Sequence, residues 1–266
     1  GSRFDSNIAT GVEAAAIFIA QGASAYLINT QFYNNSSASN NASIWNGGDM
    51  YVIADNGISE FKDNDSDYAI AVLGTGKLYI NAGNTGKVVF DDMIGSNAGG
   101  KIYINKSGLT LADGTTPIVS DGEVIFEQGK MWDCDVTLYN GTLTIKNAAL
   151  FRNKLSLEGG ILNLINNKIE TFKVTEFSSQ SAAKLNIDAN LQSGTNGYGQ
   201  SDNITISGTL DTSSAITLNA INILRDGDAE HLTIFNNQVS PTILTSTTYT
   251  NGGYKYTFTQ NADNKG

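Results

Sequence analysis

The stretch FKDNDSDYAI, residues 61–70, sets Asp63, Asp65 and Asp67 on alternate positions. Three carboxylates in one short loop can hold a calcium ion weakly when backbone carbonyls complete the oxygen shell. The remaining places do not follow a dedicated calcium loop. Counted from Asp63, the sixth place, which an EF-hand gives to glycine, is Tyr68, and the twelfth, which it gives to glutamate, is Gly74. The repeat Gly-Gly-x-Gly-x-Asp is also absent. Asp63, Asp65 and Asp67 therefore stand as candidate calcium ligands, against the alternative of an acidic loop leaving a corner at Phe61. No other cofactor is expected.

Other groups invite the same test. RDGDAEH brings together Asp226, Asp228, Glu230 and His231, an acid, a base and the chain's one imidazole. A general acid–base pair must converge on one pocket, whereas adjacent loop residues point apart, so a turn is the expected reading. Asp91-Asp92 falls about one repeat beyond Asp63, an arrangement that can align carboxylates for glycan cleavage. The only arginines are Arg3, Arg152 and Arg225, too few to suggest a cationic cleft for a lyase on acidic sugars, which leaves hydrolysis of a neutral glycan as the enzymatic alternative. In MWDCDV a strand would face Trp132, Cys134 and Val136 one way and Asp133 and Asp135 the other, with only Lys130 near enough to activate the thiol. Trp45, Tyr51, Tyr79 and Tyr103 can stack on sugars, or pack along the side of a sheet.

Composition narrows the classes. Of 266 residues only 16% are charged, and the net charge is -10. Nucleic-acid binding needs clustered Lys and Arg, and none cluster here. One cysteine excludes an internal disulfide or a cysteine-based zinc site, and one histidine removes two-histidine metal sites. The apolar run AAAIFIA at 14–20 is too short to span a membrane. The opening Gly-Ser reads as a cloning remnant, and the chain as a piece of something larger.

What must position these residues is a repeat. FDSN at 4, FYNN at 32 and FKDN at 61 are each Phe-x-x-Asn, 28 and 29 residues apart; Phe90 keeps the step of 29 without the asparagine. Between them lie short runs rich in Ile, Val, Tyr and Phe, punctuated by Gly, Asn and Asp, which predict strands and turns. A short strand recurring every 20–30 residues buries its apolar face only against copies of itself. Phe at one station would stack in the interior, and Asn would form a hydrogen-bonded ladder. From about residue 100 the step shortens to roughly 20 residues as loop insertions thin out. The fold expected is all-β, a right-handed parallel β-helix over 1–184 with loop insertions in its first third. Residues 185–266 are expected to form terminal coils and a cap, with a hairpin turning at Asn251-Gly252.

Phe-x-x-Asn (Phe4–Asn7, Phe32–Asn35, Phe61–Asn64), together with Gly47-Gly48-Asp49-Met50 and Gly99-Gly100-Lys101-Ile102, resembles the polymorphic outer-membrane proteins and other bacterial autotransporter passengers. That family has alanine where Asp49 and Lys101 stand. QSDNITISGT at 200–209 is similar to the segment that precedes the membrane barrel of many passengers. The resemblance implies a secreted or bacterial cell-surface β-helix acting in adhesion or as a rigid presentation scaffold. Its partner would be a glycan or protein on a host or neighbouring cell, with self-association through end strands a third reading. Neither nucleic acid nor insertion of this segment into a membrane is expected.

Overall fold

The run Lys77-Leu78-Tyr79-Ile80 alternates polar or aromatic with aliphatic residues, and the strand Lys77–Ala82 forms there with Leu78 and Ile80 fully buried. The same alternation builds the rest of the chain. A computed structural model describes residues 1–10, 14–37, 42–64, 68–96, 99–128, 131–194, 197–211, 213–236, 242–244, 248–251 and 254–258. The chain is all-β: no α-helix occurs among the described residues, and none is long and apolar enough to cross a membrane.

Three large sheets carry most of the described strands; Ile8–Ala9 with Ser36–Ser37, and Thr248–Asn251 with Tyr254–Thr257, form two further two-stranded sheets. Sheet 1 runs Arg3–Asp5, Gln31–Tyr33, Ile58–Lys62, Lys87–Phe90, Glu123–Phe126, Thr142–Ile145, Ile161–Asn163, Lys184–Asn190, Ala215–Arg225 and Thr242–Leu244. Sheet 2 runs Ser24–Ile28, Asp49–Ala54, Lys77–Ala82, Lys101–Ile104, Asp135–Leu138, Leu150–Leu157, Thr171–Ser179, Asn203–Ile206 and Phe235–Asn236. Sheet 3 holds Ile17–Ile19, Ala42–Asn46, Tyr68–Val72 and Ile94–Ser96. Neighbours along all three orders are parallel. Most strands consecutive in sequence fall in different sheets and pair with a counterpart one repeat away; the exceptions are Gln200–Ser201, which pairs antiparallel with Lys184–Asn190, Met131–Trp132, which shares sheet 2 with Asp135–Leu138, and the terminal hairpin.

Register follows the repeat. Phe4 pairs with Phe32, Phe32 with Phe61, Phe61 with Phe90 and Phe90 with Phe126. Their rings stack face to face at centroid distances of 4.7, 4.9, 4.6 and 4.8 Å. Each contact of this kind adds about 0.5–1.5 kcal/mol beyond burial. The Gly-Gly pairs also have a steric cause: a Cβ on Gly48 would lie 2.2 Å from the Ala23 carbonyl oxygen, and one on Gly100 would lie 2.6 Å from Val72 Cγ1.

The shorter step in the second half also has a structural origin. Met131–Trp132, which follows the sheet 3 series, pairs with the beginning of Leu150–Leu157, a sheet 2 strand of 8 residues. The next sheet 2 strand, Thr171–Ser179, spans 9. One long strand thus replaces two short ones and the corner between them. Sheets 1 and 2 run unbroken across position 184. Thr248–Asn251 pairs antiparallel with Tyr254–Thr257, the hairpin expected around Asn251, and Tyr256 donates to Asp226 at 3.0 Å.

Candidate functional site

The chemistry-bearing residues fall into five places. The first is the corner after each phenylalanine of sheet 1. Ser6, Asn34 and Asp63 occupy the same place in successive repeats, and all are left-handed, at φ 56°, 52° and 54°. Asn and Asp tolerate this conformation better than most residues. Asp63 is exposed there. Asp65 and Asp67 lie outside the described residues, and no group of three or more His, Cys, Asp or Glu converges as metal ligands among the described ones.

Directly after that corner, the asparagines form a ladder with one direction. Asn7 donates its side-chain amide to Asn35 Oδ1 at 2.7 Å, Asn35 to Asn64 Oδ1 at 2.8 Å, and Asn64 to Asp92 Oδ2 at 2.7 Å. The backbone N–H of each asparagine joins its side chain on the same acceptor. Asp92 therefore fills the fourth rung, two residues after Phe90 instead of three. A terminal rung needs only an acceptor, and a carboxylate makes that bond charge-assisted.

A second directed series climbs the outer side of sheet 1. Asn219 donates to Asn186, Asn186 to Asn163, Asn163 to the Thr144 hydroxyl, and Thr144 to Glu123 at 2.7 Å. Lys87 closes the series with an ion pair to Glu123 at 2.9 Å. Burial works to raise the Glu123 carboxyl, but the hydrogen bonds from Lys87 and Thr144 prevail and hold it below its ordinary value.

The outer side of sheet 2 carries the tyrosines. Tyr26, Tyr51, Tyr79 and Tyr103 stack at 4.5, 4.7 and 5.0 Å, and Tyr139 follows, tilted, at 6.3 Å. Lys106 lies 5.9, 5.0 and 5.5 Å from the rings of Tyr79, Tyr103 and Tyr139. Ring faces engaged by neighbouring rings are unavailable to a sugar, which removes the stacking role considered for Tyr51 and Tyr79. Trp45 instead meets the 55% exposed Phe18 at 6.4 Å. Lys106 opens the 105–122 segment, whose chain reverses through a Thr110–Pro117 bridge.

No protein-family model matches the chain, and no curated protein resembles it significantly.

The fourth place is a knot of acids that local spacing gave no reason to expect. Asp188 and Asp202 are both fully buried. Asp188 Oδ2 accepts the backbone N–H groups of Asn166 and Asn167 at 2.7 Å each, and of Lys168 at 3.3 Å. Asn222 donates to its other oxygen. Asp202 accepts the N–H of Glu170 at 2.9 Å and of Asp188 at 2.8 Å, one on each oxygen. Burial, assisted by the charges of Asp188 and Glu170, pushes the Asp202 carboxyl up to about 7 against those two hydrogen bonds. Asp202 is the third residue of the QSDNITISGT segment, and its place in the fold is that of a staple between strand Lys184–Asn190 and the corner at Glu170.

The fifth place joins 192–194 and 197–199 to 225–232. Ser193 donates to Asp228 at 2.7 Å, Tyr198 packs on His231 at 5.1 Å, and Asp226, Asp228, Glu230 and His231 are all exposed. These groups lie along a surface corner, where Ser193 holds Asp228, Tyr256 holds Asp226 and Tyr198 packs on His231. Cys134 is fully buried; burial first, then the charges of Asp133 and Asp135, push its thiol up to about 12. It is a thiol, not a thiolate nucleophile, at neutral pH. Val136 is buried with it while Asp133 and Asp135 are half-buried, the expected division of that strand; the Trp132 side chain lies outside the described residues.

Proposed function

We propose that the chain is a right-handed parallel β-helix that works as a non-catalytic presentation scaffold, of the passenger type, at a bacterial surface or after secretion. The parallel sheets and one-repeat pairing support successive coils, and right-handed crossover is the rule for parallel strands. At about 4.8 Å per coil, roughly ten coils give a rod on the order of 50 Å long.

The observation that carries the functional reading is the fate of the carboxylates. Asp92 ends an asparagine ladder, Glu123 ends the outer series, and Asp188 and Asp202 are closed over by backbone N–H groups. Groups best suited to acid–base work are thus engaged in joining one coil to the next. The 105–122 segment and the corner of 192–194 and 197–199 with 225–232 are left for display. A glycan or protein on a host or neighbouring cell is the partner class such projections suit.

Two assays test this. In the first, the chain is incubated with neutral and acidic glycans and new reducing ends are followed; no release above buffer is expected. Steady release that disappears on Asp92→Asn would replace the scaffold with a glycan-processing enzyme. In the second, beads coated with the chain are scored for cell adhesion, and replacing 109–118 by a short Gly-Ser link is expected to reduce it. Unchanged adhesion would move the binding surface away from that segment.

A further inference from the structure

Five asparagines directly precede glycine: Asn46, Asn56, Asn140, Asn196 and Asn251. Such a pair carries its own chemistry. The glycine nitrogen can attack the asparagine Cγ, closing a succinimide ring and expelling ammonia, and glycine has no side chain to obstruct the approach. Nucleophile and carbonyl sit on adjacent residues, so the step is intramolecular. The fold decides whether the two groups are free to meet.

At Asn46 they are not. Asn46 is fully buried, its amide donates to the Lys77 carbonyl at 2.8 Å and its Oδ1 accepts the Gly48 N–H at 3.1 Å. The Gly47 N–H is itself spent on the Ile19 carbonyl at 2.8 Å. Asn56 is exposed but held at both ends of its side chain: the amide donates to Asp55 Oδ1 at 3.1 Å, and its Oδ1 accepts the Thr85 hydroxyl at 3.1 Å. Asn196 and the side chain of Asn251 lie outside the described residues.

Asn140 has none of these restraints. It is exposed, and neither its side chain nor the Gly141 N–H makes a hydrogen bond among the described residues. The pair is an unpinned link between two pinned points. The Tyr139 N–H bonds the Ile104 carbonyl at 3.0 Å, and the Thr142 N–H bonds the Gly122 carbonyl at 3.0 Å. Strands Asp135–Leu138 and Thr142–Ile145 thus fix both ends of the corner and leave the reacting groups unengaged.

We propose that Asn140-Gly141 is a self-modifying site, at which the folded chain converts a neutral corner into an anionic one. A bond forms between the Gly141 nitrogen and Asn140 Cγ, the Cγ–Nδ2 bond breaks, and the amide nitrogen leaves as ammonia with the proton of the Gly141 N–H. Water then opens the ring. Opening at Cγ gives aspartate; opening at the main-chain carbonyl gives isoaspartate, which routes the chain through the former side chain and lengthens it by one carbon. Water is the only co-reactant, so the chemistry holds whether the chain is a scaffold or a glycan-processing enzyme. The isoaspartyl product disturbs its surroundings more. A Cβ on Gly160 would lie 2.9 Å from the Asn140 carbonyl carbon, and one on Gly141 would lie 2.4 Å from Asn105 Nδ2. An added main-chain carbon in so close a corner must loosen its contact with the neighbouring repeats.

The test keeps the whole chain at mildly alkaline pH, in buffer and in urea, and follows each Asn–Gly pair by peptide mapping and mass spectrometry. In buffer Asn140 is expected to convert at least about tenfold faster than Asn46 and Asn56, which must first open locally. In urea, where their restraints are gone, the three rates should converge. Asn140→Gln, which would have to close a larger ring, should end conversion at this position with the fold unchanged. Aged parent enriched in isoaspartate should exchange the amides of Thr142–Ile145 faster than Asn140→Asp, which carries the charge without the extra carbon. Equal rates at Asn46, Asn56 and Asn140 in buffer overturn the proposal. So does a lead of Asn140 that persists undiminished in urea, because local sequence and not the fold then selects the site. Identical exchange in the isoaspartyl chain and Asn140→Asp overturns the loosening of the corner.

Discussion

Asn64 directs both its backbone N–H, at 3.2 Å, and its side-chain amide, at 2.7 Å, to a single oxygen of Asp92. Asn64 is 6% exposed, so neither donor has water as an easy substitute. Asp92→Ala leaves two buried donors unpaired and is expected to cost about 2–3 kcal/mol in urea denaturation. Asp92→Asn keeps an oxygen at the rung and is expected to stay within about 1 kcal/mol of the parent. Equal destabilisation by the two variants would mean that the rung depends on charge and not on an acceptor alone.

The phenylalanine stack predicts a gradient. Phe61 has a ring on each side at 4.9 and 4.6 Å and is fully buried, while Phe4 has one neighbour and is half-buried. Phe61→Ala should cost about 3–5 kcal/mol, and Phe4→Ala roughly half as much. In a stack whose stability is a sum of neighbour contacts, the Phe61 variant should also accelerate hydrogen exchange in Gln31–Tyr33 and Lys87–Phe90. A loss confined to its own strand would argue against such coupling.

The parts legible in the sequence are those in which one residue type recurs at one spacing. Phe4, Phe32 and Phe61 disclose their column and Asn7, Asn35 and Asn64 their ladder because each repeat uses the same side chain at the same offset. Asp92 escaped that reading because its corner is one residue shorter, so the rung moved from the third place after phenylalanine to the second. The outer series from Asn219 to Glu123 mixes amides, a hydroxyl and a carboxylate across steps of 33, 23, 19 and 21 residues, and no fixed period picks it out. Asp188 and Asp202 read as ordinary polar positions of alternating strands. Their burial is set by a corner, 164–170, folding over them, which is tertiary information.

Corner geometry gives Asp63 its own test. Asn34 performs the same left-handed turn one repeat earlier at φ 52°, so Asp63→Asn is expected to leave stability unchanged. Asp63→Val forces a β-branched residue into that conformation and should cost about 1–2 kcal/mol. Both are measured by thermal denaturation with and without added calcium, and no calcium-dependent rise is expected in either or in the parent. A rise in the parent that vanishes on Asp63→Asn would restore an ion-binding role for the loop of Asp63, Asp65 and Asp67.

Asp202 predicts a pH dependence with a definite sign. Its carboxyl titrates near 7 in the folded chain against an ordinary value of 3.8, through burial and then the nearby charges of Asp188 and Glu170. Between these pH values the folded protein holds a proton that the unfolded chain has released, so this group's contribution to stability falls as pH rises from about 4 to about 7. The full shift corresponds to at most about 4 kcal/mol. Glu123, held below its ordinary value of 4.5, acts in the opposite sense: its stabilisation is present above that value and lost as pH falls further, below the Asp202 window. The thermal midpoint should therefore decline between pH 4.5 and 7.5 in the parent. Asp202→Asn cannot titrate; it keeps one oxygen for an N–H and sets its amide against the other, so it should start lower at pH 4.5 and show a flatter profile. A variant whose profile parallels the parent's would assign the slope to another group and leave Asp202 ionised throughout.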